Sequence, residues 1–153
     1  MKITKIKLSH ISIPFVIPYK LSKTYGTLHE AHAVIIRVFT DEGIIGLGEA
    51  DPMSPFTAET PASMMAVTRD VIAPHLIGQD PKRIAMLEST LDNVVDGNLT
   101  ARGAVNMALY DIIGKANDLP VHALLGGMRH GQLPLLFSVG SGTPEETVAV
   151  IQA

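Results

Sequence analysis

Residues 31–49 read Ala31-His32-Ala33-Val34-Ile35-Ile36-Arg37-Val38-Phe39-Thr40-Asp41-Glu42-Gly43-Ile44-Ile45-Gly46-Leu47-Gly48-Glu49. Val34-Ile35-Ile36 and Val38 are β-branched residues, which suit a pleated surface. Asp41-Glu42-Gly43 is a tight-turn signal, the glycine supplying a positive φ. The stretch therefore predicts two antiparallel strands, 31–39 and 44–49, joined by a short turn.

Upstream, residues 1–17 alternate. Ile6 and Leu8 give way to Ile11, Ile13, Phe15 and Ile17 as the apolar parity, with a slip near His10-Ile11 that would suit a bulge. A long half-buried strand is expected, placed at an edge or ended by Pro14 and Pro18. Residues 19–28 carry no stable period and read as a loop. With the two strands that follow, this predicts a three-stranded antiparallel meander.

Downstream, residues 51–61 form a second loop with Pro52, Pro55 and Pro61. Thr60-Pro61 then opens a helix expected to end near Pro74. A second helix opens at Asp80-Pro81, with Ile84, Leu87 and Leu91 on its inner face and Gly97 as its stop. The third, about 100–117, is apolar around most of its circumference (Ala104, Val105, Met107, Ala108, Leu109, Ile112, Ile113, Ala116), so it is expected at the centre of the core. A short helix is expected from Leu119-Pro120 to Leu125, closed by Gly126-Gly127. Leu133–Val139 reads as a strand covered on both faces. Thr143-Pro144-Glu145-Glu146 is a capping box that starts another helix. Strand, glycine loop and capped helix make one βα unit, and the chain reads as cut short at the start of an α/β architecture.

The 153 residues include no cysteine or tryptophan, carry a formal charge of −3, and are 46% apolar and 18% charged. This composition supports an ordinary hydrophobic core without disulfides. Mild acidity speaks against a nucleic-acid surface. No apolar run reaches the ~20 residues of a membrane helix, and the charged N-terminus has no signal-peptide h-region. A soluble, cytoplasmic setting is expected, with neither nucleic acid nor membrane as partner.

Few motifs carry chemistry. His29-Glu30-Ala31-His32 has a spacing of three at the mouth of a strand, where the two imidazoles would point to opposite faces, unlike a helical His-Glu-x-x-His site. Asp92-Asn93-Val94-Val95-Asp96-Gly97 starts like a calcium loop but has the wrong residues at later ligand positions, Gly103 standing where the bidentate glutamate belongs. Gly46-Leu47-Gly48 resembles half of a dinucleotide fingerprint, but Asp51 stands in place of the third glycine and no helix follows directly. Asp111, inside the most apolar helix, could be a general base. It reads more simply as a structural acceptor for backbone amides or a cation, with Arg102 and Lys115 as the available partners.

Three stretches carry a resemblance. Asp41-Glu42-Gly43-Ile44-Ile45-Gly46-Leu47-Gly48-Glu49-Ala50, Ala104-Val105-Asn106-Met107-Ala108-Leu109-Tyr110-Asp111-Ile112-Ile113-Gly114-Lys115-Ala116 and Leu119-Pro120-Val121-His122-Ala123-Leu124-Leu125-Gly126-Gly127 are similar, in order, to the N-terminal capping domain of the enolase superfamily. The branch they resemble is the mandelate racemase and muconate lactonizing enzyme group. The resemblance implies an α+β cap, meander then helical bundle, over residues 1–127. It also implies the first strand and start of the first helix of an incomplete (β/α) barrel over residues 128–153.

The implied parent is a magnesium-dependent isomerase (racemase, epimerase or cycloisomerase) that abstracts a proton α to a carboxylate. A TIM barrel takes ~250 residues, so the bases and Mg2+ ligands are expected beyond residue 153. The fragment alone is expected to be inert, with no catalytic residue and no bound metal. By the resemblance, two mobile cap loops, about residues 19–29 and 51–60, select the substrate, with Lys23, Tyr25, Met53 and Phe56 as contacts. Ser138, at the top of the first barrel strand, is a further one. The partners implied are a small carboxylate substrate and the chain's own C-terminal barrel, and a homo-oligomer is expected. The rival reading is a stand-alone binding or oligomerisation module. A coding frame continuing past Ala153 into a Lys-x-Lys strand and spaced acids separates the two.

Overall fold

The computed structural model describes every residue except Lys23, Pro55, Phe137, Ser138, Gly140, Ser141 and Ala153. Its strands are β1 Ile3–Ser22, β2 Gly26–Thr40 and β3 Ile45–Ala50, in spatial order β1-β2-β3. The helices are α1 Pro61–Val67, α2 Ala73–Leu76, α3 Ile84–Val94, α4 Leu99–Ala116, α5 Val121–Leu124 and α6 Pro144–Gln152. The chain divides into two compact units. One is Met1–Ile11 with His32–Met128, the other Ser12–Ala31 with Arg129–Ala153.

The first unit holds the core. β2 and β3 pair antiparallel from Val34↔Ala50 to Phe39↔Ile45. The turn between them has Gly43 at φ +81, and the Thr40 hydroxyl accepts the Ile44 N–H at 3.1 Å. Val34, Ile36 and Val38, every second residue of β2, are fully buried, as period-two patterning requires. Opposite them lie Ala101, Ala104, Val105, Ala108, Leu109 and Ile112 of α4, with Met64, Ile72, Leu76, Leu87 and Leu91 from the other helices. The expectation that α4 is central therefore holds. Ala108→Leu is expected to overpack it by about 1–3 kcal/mol, read as a lower urea midpoint at unchanged slope; a wild-type midpoint would mean that α4 has slack at this position.

The helix expected to end near Pro74 runs on to Leu76. A π-helical segment, Thr68–Ile72, joins α1 to α2. The Ala73 N–H reaches back to the Thr68 carbonyl. Pro74 has no N–H to give, and the change of hydrogen-bond register just before it accommodates the break.

Two expectations about β-structure are corrected. The loop expected over residues 19–29 is not a long loop. β1 continues to Ser22 and β2 resumes at Gly26, whose φ is +75, so the connection is a tight hairpin turn. Antiparallel pairing satisfies backbone groups that a loop would leave to water, and it carries the ladder through residues with no hydrophobic period. The second correction concerns the expected strand 133–139. Leu133–Leu136 form no strand, and Leu133, Leu135 and Leu136 are exposed. A strand exists only through a ladder partner, and those four residues have none among the described residues. Phe137 and Ser138 lie outside the described residues.

In the second unit, Ile13, Val16 and Ile17 are exposed rather than half-buried. The Ser12 hydroxyl donates to the Glu30 carboxylate across the hairpin. Residues 143–146 form the expected capping box: the Thr143 N–H donates to Glu146 Oε2 at 3.0 Å and the Glu146 N–H to Thr143 Oγ1 at 3.2 Å. The hydrogen bond from Thr143, then the charge of Lys20 at 3.4 Å, hold the Glu146 carboxyl below its ordinary pKa.

Candidate functional site

The two segments singled out for substrate contact are built differently. In the second unit Tyr25 sits in the β1–β2 turn, where its N–H donates to Ser22 Oγ at 3.2 Å and its side chain is about half exposed. Lys23 lies outside the described residues. The turn thus presents Tyr25 at the tip of two long paired strands, a more constrained support than an open loop.

In the first unit, residues 51–60 connect β3 to α1 and are tied down at both ends. Pro52 is buried at the start. Near the end Glu59 is 93% buried, with 7% of its surface exposed. Its carboxylate crosses to the start of α4, where Oε2 accepts the Thr100 N–H at 2.7 Å and Oε1 the Ala101 N–H at 3.3 Å. The first amides of a helix have no partner within it, and α4 has no side-chain cap of its own, Asn98 being left-handed at φ 48. Within the loop the Thr57 N–H donates to the Met53 carbonyl at 2.9 Å, and the Thr57 hydroxyl donates to the Glu59 carbonyl at 2.9 Å. Thr60 then caps α1 reciprocally with Ser63. Between these anchors, Met53 and Phe56 are exposed, Phe56 at 48%. Both side chains belong to one ten-residue loop with a fixed base and apolar tips. Sequence reasoning found the tips and missed Glu59, whose partners lie 41 and 42 residues away.

The remaining candidates resolve as structure. Asp111 Oδ2 accepts the Leu47 N–H at 2.8 Å and a hydrogen bond from Lys115 Nζ at 2.6 Å. Lys115 Nζ also donates to the Ile45 carbonyl at 2.8 Å. β3 is an edge strand, so these two α4 side chains occupy the backbone groups that an unpaired edge leaves open. The acceptor reading of Asp111 holds, and Lys115, not Arg102, is its cation. Arg102 instead joins α4 to α3, at 2.6 Å from Asp92 and 3.0 Å from Glu88, whose hydrogen bonds, Asp92's first, raise its pKa. Asp92 is therefore an ion-pair partner. Gly46 and Gly48 face α4: a Cβ on Gly48 would lie 1.8 Å from the Ala104 carbonyl oxygen and one on Gly46 2.1 Å from that of Ala108. The Gly-x-Gly pattern serves close packing.

A groove of about 480 Å³ opens between β3, α4 and α5, lined by Leu47, Met107, Tyr110, Val121 and Leu125 with the Asp111–Lys115 pair at its side. Among the described residues, no three His, Asp or Glu side chains gather as a metal-ligand set. Among the described residues no helix is long and apolar enough to cross a membrane.

Comparison with known proteins bears directly on this arrangement. N-succinyl-L-Arg/Lys racemase of Bacillus cereus is 35% identical over 99% of this chain and 42% of its own length. Its crystal structure superposes with a TM-score of 0.91 over the same shares of the two chains. L-Ala-D/L-Glu epimerase of Bacillus subtilis is 33% identical over 97% of this chain and 40% of its own. The muconate lactonizing enzyme of Pseudomonas fluorescens, solved with muconolactone, is 32% identical at a TM-score of 0.93, over 99% of this chain and 41% of that one. The chain thus spans about two-fifths of the length of the relatives it matches. These relatives are a racemase, an epimerase and a cycloisomerising enzyme, all isomerases. The family model for the N-terminal domain of mandelate racemase and muconate lactonizing enzyme matches residues 3–126. With the meander, the central α4 and the glycine-tight contact between them, this places the chain in the mandelate racemase / muconate lactonizing enzyme N-terminal domain family.

Proposed function

We propose that this chain is the capping region of a magnesium-dependent isomerase that abstracts a proton α to the carboxylate of a small substrate, and that it selects that substrate. The cap comprises residues 1–127; residues 128–153 begin the barrel and contribute Ser138 as a further substrate contact. The parent protein is cytoplasmic and a homo-oligomer. Magnesium, the bases and the chemical step belong to the barrel, and no catalytic step is assigned to residues of this chain. The observation that carries the reading is the 51–60 loop, pinned through Pro52 and Glu59 while Met53 and Phe56 stay exposed. Exposed apolar side chains on a fixed base suit recognition of the non-reacting part of a substrate. Tyr25 at the hairpin turn supplies a ring and a hydroxyl, and Lys23, two positions before it in the sequence, supplies a cation for a second carboxylate.

Contacts equal in ground and transition states change KM and spare kcat. In the protein that carries the barrel, Met53→Ala, Phe56→Ala, Tyr25→Ala and Lys23→Ala are each expected to raise KM roughly fivefold, the equivalent of about 1 kcal/mol. They should also reorder preference across a panel of N-acyl amino acids, dipeptides and muconates, with kcat within about twofold. Unchanged KM and ranking in all four variants would remove the specificity role. The 153-residue chain by itself is expected to bind Mg2+ no better than any mildly acidic surface. A stoichiometric submicromolar site in a calorimetric titration would place the metal centre here instead of in the barrel.

A further inference from the structure

The inner face of the sheet ends in two histidines. Along β1 the partly buried Ile6 and Leu8 pack on the core, and His10 is the next residue of that parity. Along β2 the same face runs Val38, Ile36, Val34 and then His32. His10 is exposed and His32 half-buried. His10 Nε2 lies 3.2 Å from His32 Nδ1, with ring centroids 5.2 Å apart and planes at 45°. β3 pairs with β2 only as far as Val34↔Ala50, two residues short of His32. The pair therefore stands where the core gives out and the 51–60 loop leaves the sheet.

From this geometry we propose that His10 and His32 form a cross-strand chelate for a divalent transition metal of the zinc class. Neutral imidazole nitrogens bind Zn2+ at about 2.0–2.1 Å. Two such bonds put the nitrogens about 2.9 Å apart at a right angle and about 3.4 Å apart at the tetrahedral angle. The observed 3.2 Å falls between these limits. Two rings linked by a hydrogen bond share one proton between the facing nitrogens. Zn2+ takes the place of that proton, which passes by way of solvent to the other nitrogen of the ring that carried it, so that both imidazoles stay neutral, and a turn of the exposed His10 ring about its Cβ–Cγ bond brings both lone pairs onto the ion. Water completes the shell. Both strands hold the backbones in register, so the chelate is largely pre-organised. Imidazole selects zinc, nickel and copper over magnesium, so this site is separate from any carboxylate-held Mg2+. His29, three residues before His32, is of the opposite parity along β2.

The test is a titration of the 153-residue chain with Zn2+ and Ni2+ against a chromophoric chelator, with melting followed in parallel. Expected are one ion per chain at micromolar affinity, a Tm that rises with zinc concentration, as linkage requires, and no competition from millimolar Mg2+. His10→Ala and His32→Ala should each weaken binding at least tenfold and abolish the Tm rise, whereas His75→Ala and His122→Ala should leave both unchanged. His10→Asn keeps a polar side chain at the exposed position but loses the ligand, so it should behave as His10→Ala while folding as wild type. Binding that survives in His10→Asn and His32→Ala, or no stoichiometric binding by the wild-type chain, overturns the proposal.

Discussion

A single methyl group on Gly48 will destabilise the first unit by at least about 3 kcal/mol, the upper end of what overpacking a core typically costs. The added Cβ would lie 1.8 Å from the Ala104 carbonyl oxygen and 2.8 Å from its carbon. Both atoms belong to the α4 backbone, so no rotamer change can relieve the contact. Either α4 lifts from β3, opening gaps along Ala104, Val105 and Ala108, or the strand bends away from its register with β2. Total domain stability is about 5–15 kcal/mol, so Gly48→Ala should show a sharply lowered urea midpoint or fail to accumulate. Gly46→Ala should follow the same direction, 2.1 Å from the Ala108 oxygen and 2.6 Å from the Ile112 side chain. Gly103, on α4 itself, supplies the control. A Cβ there meets nothing within 4 Å, so Gly103→Ala should stabilise by about 0.5–1 kcal/mol through helix propensity. A wild-type midpoint for Gly48→Ala would mean that β3 and α4 do not pack as described.

Glu59→Ala should cost about 2–4 kcal/mol, because it leaves the part-buried Thr100 amide and the buried Ala101 amide without their acceptor, and an orphaned buried donor costs about 1–3 kcal/mol. The carboxylate also sits at the positive end of the α4 macrodipole, which adds to the loss. Glu59→Gln keeps an acceptor oxygen and loses the charge, so it should fall between alanine and wild type. The same bonds fix the base of the 51–60 loop. Amide exchange measured across residues 51–58 should therefore quicken in Glu59→Ala together with exchange at Thr100 and Ala101, and much less in Glu59→Gln. Equal protection in Glu59→Ala and wild type would show that the loop holds its shape without α4.

The parts of this fold that were legible are those written in neighbouring residues. The turn at Asp41-Glu42-Gly43, the caps at Thr60 and Thr143, and the apolar circumference of α4 each depend on spacings of a few positions, and each formed where the spacing put it. The three similar stretches identified the family for the same reason. The hairpin tip was misread because pairing, not hydrophobic period, extends β1 to Ser22, and a ladder hydrogen bond is indifferent to side-chain type. Leu133–Leu136 have a strand's composition and no strand, since composition supplies no partner.

The sequence by itself determined the element order, the central helix and the membership of an isomerase cap family. The tertiary structure alone decided what Gly46, Gly48, Glu59 and His10 do, and which groups Asp111 accepts from. Their distant partners lie between 22 and 66 residues away along the chain. A close approach, an edge-strand acceptor, a remote helix cap and a cross-strand imidazole pair exist only once those segments are folded against one another, because hydrogen bonds and steric contacts act over a few ångströms of space and not over positions in a chain.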